Sequence, residues 1–276
     1  MNTIDEVNAT RFFSENLKVS GIPHLGPEKE GDPRLLGKRL GLLNGGSWIV
    51  PWANYFGRKY LPGVHLINIG NEAVQLNFMR AHHDGQPTPP QSNIDAFERY
   101  ARDLVELGNV DAVLITCSTM NRSYPQVQEA LAGYGVPVVQ IDRPMMEAAV
   151  RHGGRVLVVA THGPTVTSTQ ALLEETAAAM GREISFAGVT VHEAWEQLAG
   201  GDVEGHNALL AEAIRQAQAE DNEIASVVLA QLSMTVFLLS YPDPGEAFGI
   251  PVFTSGQCGF EHIRELLMDG DGQQTA

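Results

Sequence analysis

Asp111–Met120 reads DAVLITCSTM, and Ala225–Met234 reads ASVVLAQLSM. Each is a short, continuous apolar run, rich in β-branched residues, that ends in a polar turn. A strand covered by helices on both faces has no solvent side, so it shows such a run instead of alternating apolar and polar residues. Downstream, YGVPVVQI at Tyr134–Ile141 answers FGIPVFTS at Phe248–Ser255. A single offset aligns Cys117 with Gln231 and Pro137 with Pro251, with no gap between the two matches. Two strands, their turns and their spacing repeat together, which points to a duplicated α/β unit rather than to unrelated strands of one sheet.

Further elements fit the same pattern. RVLVVA at Arg155–Ala160 is another buried-strand run and pairs loosely with Arg39–Asn44, as Gly63–Glu72 does with Ile184–Glu193. Helical periods occupy Ile94–Leu107, Thr169–Met180 and Asn207–Ala219. Strands alternating with helices imply parallel sheets covered by helices. The expected fold is therefore α/β, with two pseudo-symmetric parallel-sheet lobes. Residues 38–150, joined by a C-terminal helix at 256–268, are assigned to the first lobe and 151–255 to the second. Residues 1–37, including the loop-like HLGPEKEGDP, are read as an arm over the surface or a subunit contact, compatible with a homo-oligomer. Residues 269–276 read as a frayed tail. Ligands bind beyond the carboxyl ends of parallel strands, so two facing lobes are expected to enclose an active-site cleft.

Composition narrows the function. The formal net charge of −15 disfavours a nucleic-acid partner, because phosphate neutralisation needs clustered Lys and Arg. A few backbone N–H groups can still hold one carboxylate in an acidic protein. No apolar run reaches the ~18 residues that span a bilayer, and the N-terminal segment lacks an apolar signal-peptide core. A cytoplasmic protein with no membrane partner is expected. Two cysteines, Cys117 and Cys258, make no disulfide framework. Metal-ligand spacing is missing, and His82-His83 beside Asp84 reads as an exposed loop. The chain has neither GxxxxGK[ST] nor a well-placed GxGxxG, so no cofactor is expected.

Chemistry centres on Cys117. It ends an apolar strand and precedes Ser118, Thr119, Asn121 and an expected helix. The field of a helix start and nearby N–H groups favour a thiolate there. Ser118 and Thr119 are the strongest binding candidates, with Gln231 and Ser233 as their second-lobe counterparts. Asn44, Gly45, Gly46 and Ser47 follow the opening strand, where two glycines either let the backbone approach a ligand closely or simply form a tight turn; Asn44 and Ser47 are candidate substrate ligands. Thr161 and Thr165 occupy the corresponding second-lobe turn. His162, between them, reads as a loop residue or a second acid/base group. Trp48 and Trp52, near the first turn, read as core or as an apolar wall of the cleft, with core preferred.

TCSTMNRSYP at Thr116–Pro125, VVATHGPTVTS at Val158–Ser168, VLAQLSM at Val228–Met234 and SGQCGFE at Ser255–Glu261 carry a resemblance. Over roughly residues 38–267 the chain resembles the aspartate/glutamate racemase superfamily, in particular the branch with arylmalonate decarboxylase and maleate isomerase. The resemblance implies two α/β lobes, a carboxylate-binding cleft and chemistry without metal, pyridoxal phosphate or nucleotide. It also implies that Thr161 and Thr165 hold substrate carboxylate, and that one cysteine per lobe flanks the substrate. Cys117 matches the first-lobe cysteine, but Gln231 stands at the second. Glutamine hydrogen-bonds and does not transfer protons near neutral pH. Two-base racemisation is therefore not expected. One cysteine suffices for a decarboxylase, a lyase, or an isomerase that adds a thiolate to a double bond. Cys258 lies one α/β unit too far along to replace the missing group and reads as a helix or core residue. An isomerase or lyase acting on a small carboxylate is expected; a malonate-like diacid decarboxylase and a catalytically silent binding protein are the alternatives.

Overall fold

The computed structural model describes residues 7–21 and 31–269, which form two compact units. One comprises Val7–Ile141 and the chain from Gly259; the other contains Asp142–Cys258.

The first unit opens with α1 (Ala9–Ser20), a helix within the segment that reads as an arm, capped by Asn8, whose side chain accepts from the Arg11 N–H. Then follow β1 (Arg39–Asn44), α2 (Val50–Tyr60), β2 (His65–Gly70), α3 (Glu72–His83), α4 (Gln91–Glu106), β3 (Ala112–Ile115), α5 (Tyr124–Leu131) and β4 (Val138–Gln140). The strands pair in parallel in the order β2-β1-β3-β4. Side chains alternate across a strand. Leu43, Val113 and Ile115 face a core built with Phe97 and Leu104 of α4 and Val127 and Leu131 of α5. The alternate residues Leu40, Leu42 and Leu114 are also fully buried. Gly57 brings α2 close to Leu66, since a Cβ there would lie 2.6 Å from Leu66 Cδ1.

The second unit repeats the plan. It contains α6 (Arg143–His152), β5 (Arg155–Ala160), α7 (Gly163–Ala179), β6 (Ser185–Thr190), α8 (His192–Ala199), α9 (Val203–Glu220), β7 (Ile224–Leu229), α10 (Phe237–Ser240), α11 (Pro244–Phe248), β8 (Val252–Thr254) and the start of α12 (Ser255–Asp269). The parallel order is β6-β5-β7-β8. Leu157, Val159, Val227 and Leu229 point into one core with α9 residues Leu210 and Ile214. Val156, Val158, Val228 and Ala230 point into another with Met145 and Met146 of α6 and Leu173 of α7. Burial on both faces explains why these strands read as unbroken apolar runs.

The repeat extends to register. Leu43 pairs with Ile115, and Val159 pairs with Leu229. Beyond them, the Thr116 N–H donates to Leu43 O and the Ala230 N–H to Val159 O, both at 3.1 Å.

Three local readings need adjustment or fall outside the described residues. His82 and His83 are exposed in the last turn of α3, not in a loop, and the His83 ring lies 3.1 Å from Asp84. Cations suit a helix C-terminus because its carbonyls carry partial negative charge. Among the described residues no group of three or more metal-ligating side chains forms. Most of HLGPEKEGDP, and the tail beyond Asp269, lie outside the described residues.

Candidate active site

Cys117 follows β3 in extended conformation, with Thr116 between them. Its successor is a six-residue 3-10 turn, Ser118–Ser123, and only then α5, rather than an immediate α-helix. Two features hold the tighter winding. The Met120 N–H donates to Cys117 O at 3.0 Å, and the Ser123 hydroxyl donates to Met120 O at 2.6 Å. Pro125 lies in the first turn of α5, where its missing N–H costs no helical bond.

The sulfur is partly buried, and Thr119 Oγ1 lies 3.1 Å from it. A hydroxyl at that distance can donate to a thiolate and so stabilise the charged form. Gly45 also lines the sulfur. A Cβ on that residue would stand 2.4 Å from Sγ, closer than any real contact allows. The first glycine after β1 therefore makes room for the cysteine itself.

Behind Cys117 runs a buried polar chain. The Thr116 hydroxyl donates to Asn44 Oδ1 at 2.5 Å. Asn44 Nδ2 donates to Asn68 Oδ1 at 3.0 Å, and Asn68 Nδ2 to Asn54 Oδ1 at 2.8 Å. Asn44 is fully buried, so these bonds hold the strand ends in place. Ser47 is exposed, and its N–H and hydroxyl both donate to the Glu72 carboxylate at the start of α3. The indole N–H of Trp48 donates to Gln75 Oε1 at 2.6 Å. Trp48 and Trp52 meet edge to face at 5.8 Å, and Trp48 is exposed rather than core.

The second unit reproduces the frame with different chemistry. Gln231 follows β7 and Ala230 in extended conformation and precedes the 3-10 turn Leu232–Val236. The Met234 N–H donates to Gln231 O at 3.0 Å, as Met120 does to Cys117. Where the first unit has Gly45 beside sulfur, the second has Thr161, whose N–H and hydroxyl both lie 2.8 Å from Gln231 Oε1. A backbone N–H can only donate, so the near side-chain atom must be the oxygen. The amide NH2 then faces away from Thr161 as a donor.

Thr165 is buried in the first turn of α7, and Ser233 is buried in the 3-10 turn. His162 precedes α7 at the N-cap position without a side-chain capping bond; its ring lies 5.1 Å from Trp195 and 6.1 Å from His192. Burial, and secondarily His192, lowers its pKa below the ordinary imidazole value. Cys258 sits in α12 against the core that contains Met145 and Phe253.

The family model for Asp/Glu/Hydantoin racemase matches residues 73–266, which span the Cys117 turn, the Thr161 turn and the Gln231 turn. The chain belongs to this family. No curated protein sequence matches it. Solved structures share the racemase fold at low identity. Allantoin racemase from Klebsiella pneumoniae is 17% identical, with a TM-score of 0.60 over 85% of this chain and 89% of its own. Picrophilus torridus aspartate racemase is 14% identical, with a TM-score of 0.59 over 84% and 94%. Glutamate racemase from Francisella tularensis subsp. tularensis SCHU S4, solved with D-glutamate, is 15% identical, with a TM-score of 0.58 over 87% and 84%. Similarity at this level concerns the two-sheet architecture. Glu72, Asn54, Asn68 and Thr116 escaped the sequence reading because an isolated polar residue near a strand end carries no local signal of its partner.

Proposed function

We propose that this racemase-family protein is a cofactor-independent isomerase or lyase acting on a small carboxylate, with Cys117 as the reacting group. The observation that carries the reading is the inequality of two equivalent strand ends. One bears a thiol beside a hydroxyl and a glycine. The other bears an amide whose carbonyl is held by Thr161. Gln231 is proposed as a hydrogen-bond donor for a substrate, one that moves no proton. Ser118 and Thr119 are the further donors proposed beside Cys117; Thr161, Thr165 and Ser233 are the corresponding binding candidates of the second unit. Asn44 holds the strand end that carries this set.

Three reactions suit one thiol. As a thiolate it removes a proton from the carbon next to the carboxylate. As a thiol it delivers a proton to the enolate-like carbanion left when carbon dioxide departs, and solvent then restores the sulfur's proton. As a nucleophile it adds to a conjugated double bond and leaves after rotation, with no net change in atoms. In each case donors preorganised around the developing oxyanion lower the barrier.

The test is turnover in deuterium oxide with small carboxylates, including malonate-like diacids. Cys117→Ala is expected to lose about 100-fold or more, the usual range for a general acid or base, while keeping its circular dichroism. A prochiral product formed by protonation is expected in one configuration with one deuteron. Carbon dioxide release identifies decarboxylation; exchange without carbon loss identifies proton transfer alone. Native turnover by Cys117→Ala rejects the reading, and ligand binding without turnover in the unmodified protein points to a silent binding protein.

A further inference from the structure

The donors of the turn after β1 already hold a carboxylate of the chain's own. Glu72 Oε1 accepts from the Ser47 N–H at 2.9 Å and from the Ser47 hydroxyl. The Ser47 hydroxyl, with the backbone N–H groups of Glu72, Ser47 and Trp48, keeps the Glu72 pKa below its ordinary value. Glu72 is therefore a fixed negative charge at neutral pH. The same turn begins at Gly45, which abuts the Cys117 sulfur. Ser47 is two residues further on. Two residues of chain span at most about 7 Å, so the Glu72 charge lies on the order of 10 Å from the sulfur, in the same compact unit.

We propose that Glu72 is a specificity-determining residue that disfavours a second anionic group on the Gly45 side of Cys117. The inference rests on the reading of Cys117 as the reacting group and deepens it. Ser47 would otherwise offer an N–H and an O–H to a substrate carboxylate. With both turned to Glu72, the turn presents an acceptor instead of donors. The substrate class favoured is a carboxylate whose other polar group is neutral or cationic and carries N–H donors, such as an amide, a ureido group or an ammonium. Dicarboxylates are disfavoured, because like charges repel, weakly but measurably at this distance.

Alkylation of Cys117 tests this without a known substrate. Iodoacetamide and iodoacetate are similar in size and differ by one negative charge. Their rates at Cys117 are followed by peptide mass spectrometry in the unmodified protein, in Glu72→Gln, and in Asp103→Asn. Asp103 is exposed near the C-terminal end of α4, which leads into the start of β3 and not its carboxyl end. Its removal controls for overall charge. Any change in the thiol's own acidity affects both reagents and cancels in their ratio.

At low ionic strength Glu72→Gln is expected to speed iodoacetate relative to iodoacetamide about two- to fivefold, as for loss of one charge at about 10 Å through a watery medium. Asp103→Asn is expected to leave the ratio unchanged. High salt is expected to erase most of the difference between the unmodified protein and Glu72→Gln, because the charge is exposed. An unchanged ratio in Glu72→Gln at a reactive Cys117 overturns the inference alone, as does an equal shift in Asp103→Asn. A Cys117 inert to both reagents overturns the reacting-thiol reading and this inference with it.

Discussion

Gly45 shows how much one missing methyl group can decide. Its backbone has no positive φ, so alanine is conformationally acceptable there, yet the added Cβ would stand 2.4 Å from Cys117 Sγ. Either the sulfur rotates away or the strand ends separate. Gly45→Ala is expected to slow Cys117 alkylation by iodoacetamide at least about tenfold, with a stability cost of about 1–3 kcal/mol, as for other overpacking changes. Equal alkylation rates in both proteins would show that the sulfur does not need this space. The sequence marks Gly45 as a residue for close approach but does not name what approaches. In the second unit the matching position carries Thr161, and its hydroxyl reaches Gln231, at the strand end equivalent to that of Cys117. Glycine beside a thiol and threonine beside an amide are matched pairs, visible only when residues far apart in the chain are placed side by side.

At the scale of elements, α9 contributes a buried titratable group outside the set of candidate site residues. His206 is fully buried, and its Nδ1 lies 2.8 Å from Ala194 O at the start of α8. A carbonyl only accepts, so Nδ1 carries the proton. Among the described residues Nε2 has no hydrogen-bond partner. Burial lowers the His206 pKa, an effect larger than the opposing one of the Ala194 carbonyl. The folded protein thus binds a proton less readily than the unfolded chain. Stability from the neutral ring is complete above the ordinary value of 6.5 and is lost as the pH falls through the lower folded value. Melting curves are expected to show Tm falling as pH drops from 7 toward 5. His206→Gln, which cannot titrate, is expected to flatten part of that fall; the lowered pKa of His162 supplies a remainder. An identical pH slope in the variant would remove His206 as a cause. The helical periods at Ile94–Leu107, Thr169–Met180 and Asn207–Ala219 lie in α4, α7 and α9, whose core stripes recur with the helical turn. The helices begin earlier, at Gln91, Gly163 and Val203, where the first residues add little to the periodic apolar stripe, and α1 carries no core stripe because it buries no residue.

At the scale of the whole molecule, the two sheets have the same strand order, with β1 and β3 central in one and β5 and β7 central in the other. Central strands are hydrogen-bonded on both sides and packed on both faces, so they open last. Amide hydrogen exchange is expected to be slowest in β1, β3, β5 and β7 and faster in β2 and β6, which have exposed or half-exposed residues along most of their length. Faster exchange in β5 than in β6 would contradict this order. The duplication, the parallel α/β class and the candidate cysteine were legible from the chain alone. Burying a strand on both faces demands an unbroken apolar run, and repeating the unit repeats that run with its turn. What only the tertiary structure decided is which polar groups meet at the strand ends. Asn44 with Thr116, Gly45 with Cys117, Ser47 with Glu72 and Thr161 with Gln231 are separated by 25 to 72 residues. A hydrogen bond or a steric contact depends on a few tenths of an ångström between side chains, and that spacing arises only when parallel strands are set in register.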